Sequence, residues 1–327
     1  MRKITWGIIG LGNIANKFAQ ALKLMNEVEL KGVASRDKDK SVDFGNLYGI
    51  APDKCYGSYQ DLVEDKTIDA IYIAVPHAFH RDAAILCLNH RKAVLCEKPV
   101  TMNEKEIKEV IRVAKENNVF FMEAMKTRFL PINQMIKQRI TEGGLGEIRL
   151  LQADYGFNAQ FDPMNRLFNK ELGGGALLDV GIYNVSYSSF IFGNKPKSIS
   201  SELYMGNTEV DESVSINLVY EDGKQSLLYS AINLDTIRAA NIIGTKGRII
   251  VPRFSNADTA YFLTNGTEEK IQLPFDINGM EYQIREVCQC INDGKVQSDI
   301  MSWNDSIEIM NLLDRIRCTN KPIRDDN

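Results

Sequence analysis

Apolar and polar positions follow two regimes along the chain. In the first, short apolar runs alternate with helical patterns. Ile4 to Ile9 is a compact apolar segment, and beyond it Ile14, Phe18, Ala21, Leu22 and Met25 recur at the spacing of one helical face. Val28 to Ser35 reads as a second strand, so the chain opens with a βαβ unit. The alternation continues with a buried strand at Asp69–Val75 stopped by Pro76, then a helix through Leu88. A strand at Ala93–Cys96, a charged helix at Glu104–Asn117 and a strand at Val119–Met122 follow. This order predicts a parallel, doubly wound sheet.

The second regime begins near Glu123. Longer strand-like stretches stand at Ile148–Phe157, Ser198–Met205, Glu212–Tyr220, Gln225–Ala231 and Ala239–Val251. Turn signals punctuate them at Glu221-Asp222-Gly223-Lys224, Gly244-Thr245-Lys246-Gly247 and Asn265-Gly266. Successive strands with short turns predict a large, mainly antiparallel open sheet. Helical periodicity returns at Glu281–Ile291 and Trp303–Cys318, which makes this half an α/β domain. Its boundary with the first domain is expected at residues 122/123.

Length and composition agree with this division. A chain of 327 residues exceeds one ordinary core, and 44% hydrophobic with 25% charged residues is globular usage. The net charge of -4 gives no support to a nucleic-acid partner. No apolar run is long enough to span a membrane, so no membrane partner is expected. The start, Met1-Arg2-Lys3-Ile4, enters a strand within a few residues and lacks a signal-peptide cleavage site. The six cysteines form no C-x-x-C pair, which suits reduced thiols and a cytoplasmic location. His77 and His80 could share a helical face, but no third ligand accompanies them, so no metal is expected.

The turn after the first strand reads Gly10-x-Gly12-x-x-Ala15, with Asn13 and Ile14 opening the helix. Gly10 permits a tight turn, Gly12 lets the backbone approach a pyrophosphate, and Ala15 keeps the helix against the strand. The helix N-terminus offers free amides to negative charge. Residues 1–122 are therefore expected to bind a dinucleotide. The end of the second strand reads the adenosine ribose in such domains, and here it is Ala34-Ser35-Arg36-Asp37. Ser35 can donate to a 2′-phosphate, Arg36 can pair with it while lying over the adenine, and Lys40 adds charge one turn on. These residues favour NADP(H). Asp37 either caps the next helix or accepts the ribose hydroxyls, and the second role keeps NAD(H) possible.

Glu97-Lys98-Pro99 follows the strand Ala93–Cys96, at the carboxyl edge where open α/β sheets bind ligands. A lysine there can hydrogen-bond a carbonyl oxygen and stabilise a developing alkoxide. Together with the glycine turn and the later segment Gly173-Gly174-Gly175-Ala176-Leu177-Leu178-Asp179-Val180-Gly181-x-Tyr183, this tripeptide resembles the glucose–fructose oxidoreductase, inositol dehydrogenase and MocA family. The resemblance covers essentially the whole chain. Met122-Glu123-Ala124-Met125-x-Thr127-Arg128-Phe129 and Tyr183 are most similar to the dimeric dihydrodiol dehydrogenase branch.

The resemblance implies hydride transfer between a nicotinamide and a hydroxyl or carbonyl carbon. It makes Tyr183 the general acid in reduction, and it makes residues 123–327 the substrate-binding and oligomerisation domain. A phenol titrates near about 10, so it needs help at neutral pH, and a nearby Lys98 ammonium would lower it. Asp179 and Tyr183, four apart on a predicted helix, project from one face, with Asp179 placed to orient the lysine or substrate hydroxyls. His80 and the Pro76-His77 pair are implied to shape the nicotinamide pocket. The branch often has tryptophan where this chain has Lys126, and losing an aromatic platform favours a sugar or polyol over an aromatic diol. Dihydrodiol dehydrogenase activity, a biliverdin-reductase-like activity and a non-catalytic NAD(P)-binding regulator are the alternatives. Apolar residues in Ile216–Tyr220 and Leu227–Tyr229 would form a large patch if exposed, which predicts a homodimer or higher homo-oligomer.

Overall fold

The computed structural model describes residues 2–319. The chain divides into two compact units, Met1–Lys126 with Phe275–Ile307, and Thr127–Pro274 with Glu308–Asn327. The first crossing lies close to the expected boundary, but residues 275–307 return to the first unit instead of staying with the rest of 123–327. The reason is an open sheet edge. The Phe121 amide donates to the Val296 carbonyl at 3.0 Å, and the Trp303 indole donates to the Phe121 carbonyl at 2.9 Å. These long-range bonds leave no local trace in the sequence.

The first unit holds six parallel strands: β1 (Ile4–Ile9), β2 (Val28–Ala34), β3 (Cys55–Tyr56), β4 (Ala70–Ile73), β5 (Ala93–Glu97) and β6 (Phe121–Ala124). Their spatial order is β3-β2-β1-β4-β5-β6. Every residue of β4 and β5 is buried, as befits strands covered on both faces. The covering helices are α1 (Asn13–Leu24), α2 (Lys38–Tyr48), α3 (Tyr59–Glu64), α4 (His80–Asn89) and α5 (Glu104–Asn117). In α5, Ile107, Val110, Ile111 and Ala114 form the buried stripe. Asn103 caps its start by accepting from the Glu106 amide at 3.0 Å, and Asn118 ends it in the left-handed region at φ 51°. The strand order reverses between β1 and β4, so their carboxyl ends form the crevice in which such sheets bind ligands.

The second unit holds α6 (Pro131–Thr141), β7 (Ile148–Gly156), α7 (Ile182–Phe192), β8 (Ser198–Met205), β9 (Asp211–Val219) and β10 (Gln225–Ala231). Beyond these lie β11 (Ala239–Gly244), β12 (Gly247–Pro252), β13 (Thr259–Thr264) and β14 (Thr267–Gln272). The sheet order is β14-β13-β12-β11-β7-β10-β9-β8, antiparallel except for the parallel pair β7 and β10. The stretch expected as one strand over Ala239–Val251 is a hairpin of β11 and β12, turned at the predicted Gly244–Gly247 signal. α8 (Glu281–Asn292) belongs to the first unit, and the division of the chain falls within α9 (Trp303–Thr319).

The large apolar patch expected on this sheet is not exposed. Ile216, Leu218, Tyr220 and Leu228 alternate inward and are buried, while Leu227 is 41% exposed. The helix α7, buried around most of its circumference, packs on β7 and β10. Strand alternation explains the difference, since one face carries the apolar set and the other carries Gln152, Ser215 and Asn217. No helix among the described residues is long and apolar enough to cross a membrane.

Candidate active site

The β1–α1 turn is built for close approach. Gly10 has φ +87°, and a Cβ there would stand 2.6 Å from the Ala74 carbonyl oxygen of the neighbouring strand's end. Gly12 is the N-cap of α1 and brings no capping side chain, so the amides opening the helix at Asn13 and Ile14 are not side-chain capped. A Cβ on Gly12 would meet nothing within 4 Å. A helix start that is exposed, uncapped and open above the glycine fits a diphosphate.

At the end of β2 the polar groups separate into two roles. The Asp37 carboxylate accepts from the Asp39 amide at 3.0 Å and the Lys40 amide at 3.2 Å, capping α2. The Ser35 hydroxyl accepts from the Asp37 amide at 3.2 Å, which ties the turn together. Arg36 and Lys40 stand exposed. The Arg36 guanidinium lies 5.6 Å from the ring centroid of Phe79, which follows β4. Phe79, 38% exposed, is a residue the sequence reading missed; its signal was an aromatic in a turn between Pro76 and α4.

At the end of β5, Glu97 is buried and Lys98 half-buried, with a cis Lys98–Pro99 peptide. The Tyr72 hydroxyl donates to the Glu97 carboxylate. Burial pushes the Glu97 carboxyl up, and the Tyr72 bond with the Lys98 and Lys126 ammoniums pulls it back. Glu97 pairs in register with Ala124 of β6, so Lys98 and Lys126 leave the carboxyl ends of adjacent strands. Desolvation brings Lys126 down to about 8, and Glu97 opposes that fall.

In the second unit, Asp179 lies in a π-helical turn, Leu177–Gly181, that leads into α7, where Tyr183 is the second residue. The pair is thus four apart across a π turn, not along one regular α-helix. Asp179 is buried and accepts from Arg166 at 2.9 Å. The rings of Tyr155 and Tyr183 are 5.4 Å apart. Asp211 holds the start of the turn by accepting from the Leu177 amide at 2.5 Å. Gly175 (φ +111°) makes room, since a Cβ there would stand 2.3 Å from an Asp211 carboxylate oxygen.

Residues 4–125 match the oxidoreductase family with an NAD-binding Rossmann fold, and residues 133–250 match the GFO/IDH/MocA C-terminal domain. The chain belongs to the GFO/IDH/MocA oxidoreductase family. It is 38% identical to the trans-1,2-dihydrobenzene-1,2-diol dehydrogenase of Xenopus laevis over 94% of this chain and 96% of that one. The human enzyme of the same name is 32% identical, over 96% of each chain. Among solved structures, an aldose–aldose oxidoreductase from Caulobacter crescentus, complexed with glycerol, matches with TM-score 0.90 at 22% identity. That match covers 97% of each chain. A 3-ketoreductase from Actinomadura kijaniata, solved with NADP and TDP-benzene, matches with TM-score 0.87 at 23% identity over 97% and 98% of the chains. At such identities these two share the fold.

Membership in the GFO/IDH/MocA family makes a nicotinamide dinucleotide, NAD(P), the cofactor. Gly10, Gly12, Asn13, Ile14, Ser35, Arg36, Lys40, Pro76, His80, Glu97 and Lys98 all belong to the first unit. Of these, Glu97 and Lys98 end β5, while Pro76 and His80 flank the turn after β4. Asp179 and Tyr183 lie together in the second unit. Both ring nitrogens of His80 face backbone carbonyls, those of Pro99 and Val75. Arg166, the partner of Asp179, lies outside any regular element, which is why no periodicity flagged it. Among the described residues no group of three or more His, Cys, Asp or Glu is placed to hold a metal ion.

Proposed function

We propose that the protein is an NADP(H)-preferring dehydrogenase or reductase acting on a hydroxyl or carbonyl carbon of a sugar, polyol or related small molecule. The observation that carries the cofactor preference is at the end of β2. The Asp37 carboxylate is engaged with the Asp39 and Lys40 amides, while Arg36 and Lys40 stand exposed. A carboxylate capping a helix is poorly disposed to accept ribose hydroxyls, whereas two exposed cations favour a 2′-phosphate. The uncapped amides at Asn13 and Ile14 hold the diphosphate.

When bound, the nicotinamide supplies or accepts the hydride. Lys98 hydrogen-bonds the substrate oxygen and stabilises its developing negative charge. Tyr183 gives that oxygen its proton in reduction and takes it back in oxidation. Asp179, held by Arg166, orients substrate hydroxyls. Lys126 puts an ammonium where an aromatic platform would serve a flat diol, which supports a polyhydroxylated substrate.

Calorimetry with NADPH and NADH tests the cofactor reading. Arg36→Ala removes a charge-assisted bond of about 1.5–3 kcal/mol, so NADPH affinity falls roughly ten- to a hundredfold while NADH affinity barely changes. Equal losses for both cofactors would refute it. In a screen of carbonyl sugars with NADPH, Tyr183→Phe reduces kcat by roughly a hundredfold or more. Absence of turnover with every carbonyl would instead support a non-catalytic NAD(P)-binding regulator. We also propose a homo-oligomer joined through the outer sheet face, where Leu227 and Tyr229 stand with Gln152, Asp154 and Asn217 around a groove of about 580 Å³. A monomer in sedimentation at micromolar concentration would rule that out.

A further inference from the structure

His80 opens α4 and is wholly buried. Its Nδ1 lies 2.7 Å from the Pro99 carbonyl oxygen, and its Nε2 lies 2.9 Å from the Val75 carbonyl oxygen. A carbonyl oxygen can only accept. A neutral imidazole carries a single N–H, so it could donate to one of these oxygens only, and its second nitrogen would set a lone pair against the other. Both contacts are hydrogen bonds only when both ring nitrogens are protonated.

We propose that His80 is a positioning residue held as the imidazolium, which fastens the end of β4 to the Glu97-Lys98-Pro99 segment and so fixes the backbone from which Lys98 projects. The inference rests on the reading of Lys98 as the donor to the substrate oxygen. Val75 and Pro99 belong to the carboxyl ends of adjacent strands, β4 and β5, which pair in register from Ala70↔Ala93 to Ile73↔Cys96. Beyond Cys96 this ladder ends, and the imidazolium carries the connection onward with two charge-assisted bonds.

The surroundings bear on the charge. From the turn after β4, His77 presents its ring at 5.7 Å, tilted 61° to that of His80. On α4 itself the ionisable neighbours are Arg81 and Asp82, paired at 3.5 Å, with Arg81 also bound to Glu109 of α5. From β5 come Glu97, which takes the Tyr72 hydroxyl, and Lys98. The end of β4 brings Ala74 and Val75, which carry no charge. Burial opposes the imidazolium. The two carbonyl dipoles, one on each nitrogen, favour it.

Long-range proton–nitrogen correlation spectra of the full-length protein, nitrogen-15 labelled at histidine and saturated with NADPH, test the inference directly. The chain has three histidines, and His80→Gln assigns the signal by its loss. Near neutral pH both His80 ring nitrogens are expected to resonate as protonated nitrogens. One protonated and one bare nitrogen would overturn the inference. In kinetics, His80→Gln carries its donors on one nitrogen and cannot span both carbonyls as the ring does, so kcat falls by up to about a hundredfold through misplacement of Lys98, with the KM for NADPH unchanged. Equal loss in kcat and NADPH affinity would mean general disruption and would also overturn it. Lys98→Met separates the two readings. Full activity in that variant, with both His80 nitrogens protonated, leaves the imidazolium standing and removes the assigned role of Lys98.

Discussion

Replacing Asp211 by asparagine should change how stability depends on pH, and in a direction opposite to that of an ordinary capping carboxylate. Asp211 is buried at the start of β9, and its carboxylate binds the Leu177 amide at 2.5 Å. Met205 stands opposite it on β8, and Arg317 of α9 favours its charged form. Burial nonetheless prevails over the amides and Arg317, and pushes the carboxyl from 3.8 up to about 6. A shift of about two units corresponds to about 3 kcal/mol. Because the folded value lies above the unfolded one, this contribution is fully present below about pH 4 and is lost as pH rises through about 6. Asparagine does not titrate. In calorimetric melts from about pH 4 to about pH 7.5, the wild type should therefore lose about 3 kcal/mol relative to Asp211→Asn. At roughly 2–4 °C per kcal/mol, that is about 6–12 °C of relative change in Tm. Parallel curves would refute the reasoning. Curves diverging the other way, with the wild type gaining stability as pH rises, would show that the amide bonds outweigh burial.

Other outcomes follow from the same electrostatics. Carbon-13 dimethyl labelling should give Lys126 a midpoint near 8, well below other lysines, and Glu97→Gln should lower it further by removing the opposing carboxylate. A midpoint in the ordinary lysine range would contradict the desolvated site. Asp65 accepts from Lys54 at 2.8 Å, Tyr56 at 2.7 Å and the Thr67 hydroxyl at 2.7 Å, and these bonds hold its carboxyl well below the usual range. Asp65→Asn should cost about 2–3 kcal/mol at neutral pH, and the loss should shrink as acid protonates the wild-type carboxylate. Both tryptophans, Trp6 and Trp303, are buried in the first unit, so fluorescence during urea unfolding reads this variant where it acts.

The parts of the fold that the sequence revealed are those in which local pattern and tertiary environment agree. The run Ala70-Ile71-Tyr72-Ile73 is apolar because both faces of β4 are covered, and α5 is striped because one face meets the sheet. Where burial is uneven, the pattern fades. β14, Thr-Glu-Glu-Lys-Ile-Gln, is an edge strand with mostly exposed residues, and only the Asn265-Gly266 turn hinted at its hairpin. The return of residues 275–307 to the first unit depends on bonds to Phe121 far away in the chain, which no periodicity encodes. The π turn ahead of α7 was equally hidden, because Leu177–Gly181 reads as ordinary helix by composition.

The candidate site shows a different kind of limit. A motif identifies which polar residues matter, but not whether each faces a ligand or holds backbone. Asp37, His80 and Asp211 could each have been read as ligand groups. In the structure Asp37 caps α2, His80 bridges two strand ends through carbonyls, and Asp211 anchors the turn before α7. Arg36 and Lys40 of the first unit stand exposed, its Lys98 and Lys126 are half-buried, and so is Tyr183 of the second unit. The first four are cations and the fifth is a phenol, side chains of the kinds that the NADP(H)-dependent reaction proposed above would use. Asp37, His80 and Asp211 instead give hydrogen-bonding capacity to the backbone, where rigidity is needed. Substitutions in the first set should therefore alter affinity or turnover with little change in stability. Substitutions in the second should move stability, or kcat through geometry, while leaving cofactor affinity largely intact.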